Sequence, residues 1–435
     1  MASFRLKILY VILGSLLATS SASAKVYLNS MCTMMENSKD KAIEGDKKKS
    51  SRFPLASISK IVTSLWAIEK LGPDYRFKTR LHVTKATNSS YNVHIEGSRD
   101  PYFGQKSGYF LIAELNRQGI NIKDIENLTF DENFLILWGL EIKPNVGGET
   151  VYYKTIEAQA EAVKDQLLKY FATNIEPAKY NALRAAAERN GIKMQAAVPS
   201  VRIKNIEFLP KSMFKKARDT ETYVYKSAPL TATLKKMNNQ SNNYIADHLY
   251  WNLGGTAEFN NFAQRVLSMT SKDMEFHLGS GNNAAYLSDS PKAIYNEATC
   301  EAMIKVLYKL DTLLVSHGRQ LSDVMAVAGA DPSTVGGFKG VFERSMIAKT
   351  GTVNRAKTLA GTVSTKNGEI YFVVLMNTDS SSESGIAQGE IIEKVKDLIK
   401  EKGGPERFEY TPTRPLPFDA DSALQVDTNF VELRG

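Results

Sequence analysis

Apolar positions after residue 54 recur at the spacing of a helix. The stretch PLASISKIVTSLW (residues 54–66) begins a predicted helix at Ser57, and Leu71-Gly72-Pro73 would end it. Its buried face is formed by apolar residues three and four positions apart, namely Ile58, Ile61, Val62, Leu65 and Ile68. Similar periodicity predicts further helices within residues 230–255, 259–269, 297–314 and 390–402.

Two parts of the chain alternate as strands do. Short predicted strands lie at 80–84, 91–97 and 127–132, around a helix at 109–119, and a polar helical stretch follows at about 156–190. Near the end, residues 345–353 and 357–377 alternate again, with a hairpin at Asn367-Gly368. This order predicts an α/β (α+β) fold in which residues 25–78 and 225–435 form one domain and residues 79–224 form an inserted, smaller domain.

The first 24 residues have the pattern of a signal peptide. Arg5 and Lys7 precede an apolar run at residues 8–18, and Ala22-Ser23-Ala24 resembles a cleavage site. The run is short for a membrane-spanning helix, so an uncleaved anchor is the less favoured alternative. A mature periplasmic protein that begins at Lys25, without a stable membrane anchor, is therefore predicted.

Composition and charge place few further limits on the number of domains or on the class of binding partner. With 435 residues, 43% of them hydrophobic and 23% charged, the chain is long enough for two folded domains. The net charge of +8 includes Arg5 and Lys7 of the leader. The remaining surplus fits either an anionic wall polymer or ordinary surface variation, and the scattered basic residues do not indicate nucleic-acid binding.

The two cysteines and five histidines do not indicate a metal centre. Export would permit a disulfide between Cys32 and Cys300, but the sequence leaves their pairing open. None of the histidines lies at the sequence spacing of a metal-binding motif from a cysteine or from another histidine. They are His82, His94, His248, His277 and His317. No metal or other cofactor is predicted.

A serine and a lysine share one face at the start of the first predicted helix. Ser57 and Lys60 lie three residues apart, which suits a serine nucleophile with a lysine base. The pair alone is weak evidence, because a serine at a helix start is usually a cap and because Ser212 and Lys215 repeat the spacing.

Two further elements follow in order. Ser241-Asn242-Asn243 lies in a helical region, although Ser90-Tyr91-Asn92 and Ser280-Gly281-Asn282 match the same S-x-N pattern. Lys349-Thr350-Gly351 occurs once, in a predicted strand. The order S-x-x-K, S-x-N, K-T-G is the signature of penicillin-interacting serine enzymes, and it favours Ser57 over Ser212 as the nucleophile.

The stretches around these motifs resemble the penicillin-binding protein 4 family, the low-molecular-mass class C D-alanyl-D-alanine carboxypeptidase/endopeptidases. They include VHIEGSRDPYF, MNNQSNNYIADHL, LGSGNN and SMIAKTGTVNRAKTLAGTVS. The resemblance implies a transpeptidase-like domain with a five-stranded antiparallel sheet covered by helices on both faces. The chain departs from the family at Asn242, where aspartate is frequent, and at Leu278, where an acidic residue is frequent.

The resemblance also implies a function and a set of site residues. The enzyme would cleave D-Ala-D-Ala termini and D-Ala-diaminopimelate cross-links of peptidoglycan, and β-lactams would acylate it. The implied catalytic residues are Ser57, Lys60 and Ser241, and the implied substrate-binding residues are Asn243, Lys349, Thr350, Gly351 and Thr352. The alternatives are a penicillin-recognising esterase or β-lactamase, and an inactive wall-binding protein.

Overall fold

The computed structural model describes residues 27–120, 124–136, 155–171 and 175–427, so the predicted leader lies outside the described residues. In chain order the strands are β1 (Tyr27–Met35), β2 (Glu44–Gly45), β3 (Arg52–Pro54), β4 (Lys78–Lys85), β5 (Ser90–Glu96), β6 (Asp124–Phe130), β7 (Arg202–Phe208), β8 (Glu221–Lys226), β9 (Met274–Glu275), β10 (Glu297–Thr299), β11 (Ala326–Val327), β12 (Met346–Val353), β13 (Ala356–Thr365), β14 (Gly368–Asn377) and β15 (Gln425–Val426). The helices are α1 (Ser59–Leu71), α2 (Gln105–Arg117), α3 (Ile156–Phe171), α4 (Pro177–Arg189), α5 (Leu230–Gln240), α6 (Asn243–Asn252), α7 (Gly255–Leu267), α8 (Cys300–Ser316) and α9 (Ser381–Glu401). None of these described helices is both long and apolar enough to cross a membrane.

The first sheet joins the N-terminal strands β1 and β2 to the later strands β11 to β14. Its order is β11-β12-β13-β14-β1-β2, and all neighbouring strands are antiparallel. The predicted hairpin at Asn367-Gly368 connects β13 and β14, and Gly368 adopts the positive φ of 116° that such a turn requires. The sheet has six strands instead of the five implied by the resemblance, with β2 and β11 only two residues long.

Helices cover both faces of this sheet, which confirms the predicted fold class. Tyr371, Val373 and Leu375 of β14 pack in a core shared with α1 and α8. The alternating residues Phe372 and Val374 pack on the other side, in a core shared with α9. Because both faces are buried, β14 is apolar at nearly every position instead of at every second one.

Cys32 of β1 and Cys300 at the start of α8 form a disulfide. Their Cα atoms lie 5.9 Å apart, and both residues are fully buried. The sequence left this pairing open because the cysteines are separated by 268 residues. The bond ties the first strand of the sheet to the helix that covers it.

Replacing both cysteines by serine is expected to lower the free energy of unfolding by about 2–4 kcal/mol, because the bond restricts a long loop of the unfolded chain. Thermal melting of the double variant and of the reduced wild-type protein measures this change. A melting temperature equal to that of the oxidised wild type would contradict the expectation.

A small sheet holds the segment just before the predicted nucleophile. Its order is β3-β10-β9, with antiparallel pairing of β3 to β10. Since β3 ends at Pro54, this sheet fixes the direction in which the chain enters the Ser57 segment.

A second large sheet has the order β15-β8-β4-β5-β6-β7, with β5, β6 and β7 parallel. The helix α2 connects β5 to β6, and α3 with α4 connects β6 to β7. The predicted stretch at 156–190 is two helices, because Pro177 lacks the backbone N–H that a continuous helix needs and instead begins α4.

The C-terminal tail leaves the first sheet and joins the second one. Leu416, Phe418 and Leu424 pack in the core of the second sheet, and β15 pairs with β8. The Tyr225 hydroxyl donates to the carbonyl of Pro417 at 2.8 Å. The domain boundaries at residues 79 and 225 stay a prediction. The structure shows in addition that the C-terminal tail packs on the second large sheet.

Candidate active site

Ser57 lies on a short 3-10 helix, Ala56–Ile58, that leads directly into α1. Two hydrogen bonds fix the residue before this turn: Leu55 N donates to Asn296 O at 2.9 Å, and the Thr358 hydroxyl donates to Leu55 O at 2.9 Å. Ala56 then takes a positive φ of 50°, a conformation that costs a non-glycine residue about 1–2 kcal/mol. The surrounding structure therefore holds Ser57, which is partly exposed, in a strained turn.

Lys60 is fully buried on the first turn of α1. Its Nζ lies 3.1 Å from Ser57 Oγ, 2.8 Å from Asn243 Oδ1 and 3.1 Å from the carbonyl oxygen of Ser280. Burial lowers the pKa of Lys60 from 10.5 to about 7, and the Asp247 carboxylate opposes that shift. A large share of the lysine is therefore neutral near neutral pH, and a neutral amine accepts a proton.

Ser241 and Lys349 form a second serine–lysine pair. Ser241 caps the end of α5 with a left-handed φ of 53°, which turns the chain into α6. Lys349 Nζ donates to Ser241 Oγ at 2.9 Å and to Thr350 O at 2.8 Å. Burial, and after it the nearby Lys60 charge, holds the pKa of Lys349 well below its usual range. The structure thus brings the three sequence motifs together.

Gly351 gives the strand β12 a close approach to the Ser57 turn. A Cβ at this position would lie 2.2 Å from Thr358 Oγ1 and 3.0 Å from Ser57 N. Only glycine allows β12 to run this close to the serine amide. Thr352, the next residue, is exposed on the strand.

Three site residues were not identified from the sequence. Ser280 belongs to one of the repeated S-x-N matches, yet its carbonyl oxygen accepts from Lys60. Asp247 accepts from Ser280 N at 2.7 Å, and Asn296 binds the backbone of Leu278. The spacing of four between Asn243 and Asp247, on one face of α6, is the signal that would have indicated the aspartate.

The other matches to the motifs lie elsewhere. Ser212 is exposed on a 3-10 helix, Lys211–Met213, and Ser90 begins β5 of the second sheet. Asn242 accepts from Ile245 N at 2.9 Å as the N-cap of α6, a role that asparagine and aspartate fill equally well. Leu278 is completely buried. Both departures from the family pattern thus have structural roles.

The model of the D-Ala-D-Ala carboxypeptidase 3 (S13) family matches residues 20–136 and 211–396. The unmatched residues between these ranges include α3 and α4. None of the curated proteins compared with the chain matched it.

Solved structures similar to the chain include a predatory peptidoglycan endopeptidase from Bdellovibrio bacteriovorus, at 55% identity and a TM-score of 0.88, covering 92% of this chain and 100% of that one. A predatory endopeptidase from the same organism, acylated by penicillin G and in complex with an immunity protein, matches at 52% identity and a TM-score of 0.84, with 92% and 100% covered. Penicillin-binding protein 4 from Haemophilus influenzae, at 19% identity and a TM-score of 0.52 with 82% and 92% covered, shares the fold.

Proposed function

The chain belongs to the D-Ala-D-Ala carboxypeptidase 3 (S13) family of serine peptidases, and from this premise we propose that it cleaves peptidoglycan stem peptides through an acyl-enzyme on Ser57. Family membership confirms the predicted likeness to penicillin-binding protein 4 and the predicted serine-type peptidase. The observation that carries the proposal is the 3.1 Å contact between Ser57 Oγ and a buried lysine whose pKa is lowered to about 7.

Acylation begins at the carbonyl of a D-alanine. Ser57 Oγ attacks that carbon while its proton passes to neutral Lys60. The backbone N–H groups of Ser57 and Thr352 stabilise the oxyanion, a role supported by the approach of Gly351 to Ser57 N. Breaking the C–N bond leaves D-alanine or the diaminopimelate of a neighbouring stem peptide as the departing amine, which takes up one proton.

The second serine–lysine pair serves the departing amine. Ser241 relays the proton, and Lys349, 2.9 Å from Ser241 Oγ, orients that hydroxyl. Asn243 holds Lys60 through its Oδ1 and binds the substrate backbone through its Nδ2. Thr350 and Thr352 bind the substrate carboxylate. Water then hydrolyses the acyl ester and frees Ser57.

We propose both a carboxypeptidase reaction on D-Ala-D-Ala termini and an endopeptidase reaction on D-Ala-diaminopimelate cross-links. The likeness to peptidoglycan endopeptidases favours the second reaction as the main one. β-Lactams act as covalent inhibitors, which the acylation of a 52% identical endopeptidase by penicillin G supports. The predicted leader supports a periplasmic location, where the enzyme reaches the wall.

Mass analysis of purified wall fragments tests this proposal. Pentapeptide monomers and cross-linked dimers are incubated with the wild-type protein or with Ser57→Ala. Serine-dependent splitting of dimers, or loss of D-alanine from monomers, is the expected result, and the two rates rank the activities. Unchanged fragments together with rapid β-lactam turnover would replace the proposal with the β-lactamase alternative.

The rate of acylation by penicillin is expected to rise with pH through about 7 and then to level off. Lys60 accepts the serine proton only when it is neutral, and below its pKa of about 7 it becomes an ammonium ion. Rapid-mixing measurements with a fluorescent penicillin from about pH 5 to about pH 9 follow this profile. A rate that still climbs about tenfold per pH unit at the upper end would show that Lys60 keeps an ordinary lysine pKa.

A further inference from the structure

A cavity lies beside the site, between the sheet and α9. Its volume is about 100 Å³, and its lining includes Thr350 and Thr352 of β12, Lys357 of β13 and Gln388 of α9. Thr350 and Thr352 also belong to the proposed carboxylate-binding strand, so the cavity shares two lining residues with the proposed substrate site.

Lys357 places a positive charge in this cavity. It lies directly opposite Thr352 in the antiparallel pair of β12 and β13, so the two side chains are neighbours on one face. Among the residues that the structure describes, none forms a hydrogen bond or an ion pair with its ammonium group, and the side chain is half-buried. Burial lowers the pKa of Lys357, with no contribution from an acidic neighbour.

An ammonium group that is partly withdrawn from water without an anion is unfavourable, and a bound carboxylate would compensate it. Three neighbouring groups, Thr350, Thr352 and Gln388, offer further polar contacts but no negative charge. The cavity therefore has the chemistry of an anion site, and its position next to the threonines places that site on the departing side of the scissile bond.

We propose that Lys357 binds a second carboxylate of the departing stem peptide, separate from the carboxylate held by Thr350 and Thr352. This inference rests on the proposed function, since it names a part of the same substrate. A cross-linked dimer carries the diaminopimelate carboxylate next to the scissile bond. Its departing peptide also carries a carboxylate on its terminal D-alanine and another on its glutamate. A released single D-alanine carries only one carboxylate, the counterpart of the diaminopimelate carboxylate next to the scissile bond.

Calorimetric binding of a cross-linked dimer to Ser57→Ala tests the subsite without cleavage. The dimer is expected to bind Ser57→Ala about 10- to 100-fold more tightly than Ser57→Ala/Lys357→Met, as a charge-assisted hydrogen bond predicts. Amidating the carboxylate that Lys357 binds should abolish this difference. Dimers amidated at the terminal D-alanine or at the glutamate identify which of the two groups it is.

Lys366, exposed at the other end of β13, provides the matched control, and Lys366→Met in the same background should bind the dimer as tightly as Ser57→Ala. Equal affinity of the dimer for Ser57→Ala and for Ser57→Ala/Lys357→Met would overturn the subsite. The subsite would also be overturned if Lys357→Met weakened binding of the fully amidated dimer as much as it weakens binding of the unmodified dimer. A slowing of penicillin acylation by Lys357→Met that matches the loss of dimer binding would instead place Lys357 at the first carboxylate. If the dimer binds in a Lys357-dependent way but the wild-type protein does not cleave it, the proposed reaction is overturned and the subsite is supported.

Discussion

Ser57→Ala is expected to abolish covalent labelling by penicillin and to reduce peptide hydrolysis on the order of 10⁶-fold. Removal of a serine nucleophile in other peptidases has an effect of that size, because the remaining groups stabilise a transition state that no longer forms by serine attack. Gel detection of a fluorescent penicillin measures the labelling, and mass analysis of stem peptides measures the hydrolysis. The variant should fold normally, since Ser57 is partly exposed and the loss of its hydroxyl leaves no cavity in a core.

Ser212→Ala is the matched control for this experiment. Ser212 and Lys215 repeat the spacing of Ser57 and Lys60, but Ser212 is exposed on the 3-10 helix Lys211–Met213. Its substitution should leave labelling and hydrolysis at the wild-type level. Labelling that survives the loss of Ser57 would require another nucleophile and would end the assignment.

Lys60→Met is expected to slow acylation by about 10²- to 10⁴-fold, the usual contribution of a positioned base. Methionine fills a similar volume but accepts no proton, so Ser57 must lose its proton to water. The substitution also leaves Asn243 Oδ1 and the Ser280 carbonyl without their donor. Rapid mixing with a fluorescent penicillin gives the acylation rate constant.

Lys70→Met provides the control on the same helix. Lys70 lies in the last turn of α1, where its Nζ donates to Leu253 O at 2.7 Å, far along the helix from Ser57. Its substitution should leave the acylation rate unchanged. An acylation rate close to the wild-type value in Lys60→Met would exclude Lys60 as the base and would shift attention to Lys349.

Much of the site was predictable because the motifs consist of side chains with fixed spacing. Ser57 and Lys60 had to share a face once the periodicity predicted α1, and the order of the three motifs indicated that Ser241 and Lys349 would join them. The contribution of Ser280 was not predictable in this way. It acts through a backbone carbonyl, and every residue has one, so that only the folded loop reveals which carbonyl faces Lys60.

The fold likewise has parts that local sequence patterns predict and parts that they do not. The hairpin of β13 and β14 and the helix α1 follow from local patterns. The pairing of β1 with β14 and the position of Lys357 opposite Thr352 depend on contacts between distant segments or on strand register, which local periodicity does not specify. Pro177 was visible in the sequence, and its ability to end a helix was the signal that the stretch at 156–190 consists of two.

The crossing of the tail has a consequence for the biogenesis of the enzyme. The residues that close the edge of β8, together with Phe418 of the second core, lie beyond α9 in the chain. A nascent or truncated chain that stops before residue 415 would expose the β8 edge and the apolar surface that Phe418 covers, both of which invite proteolysis and aggregation.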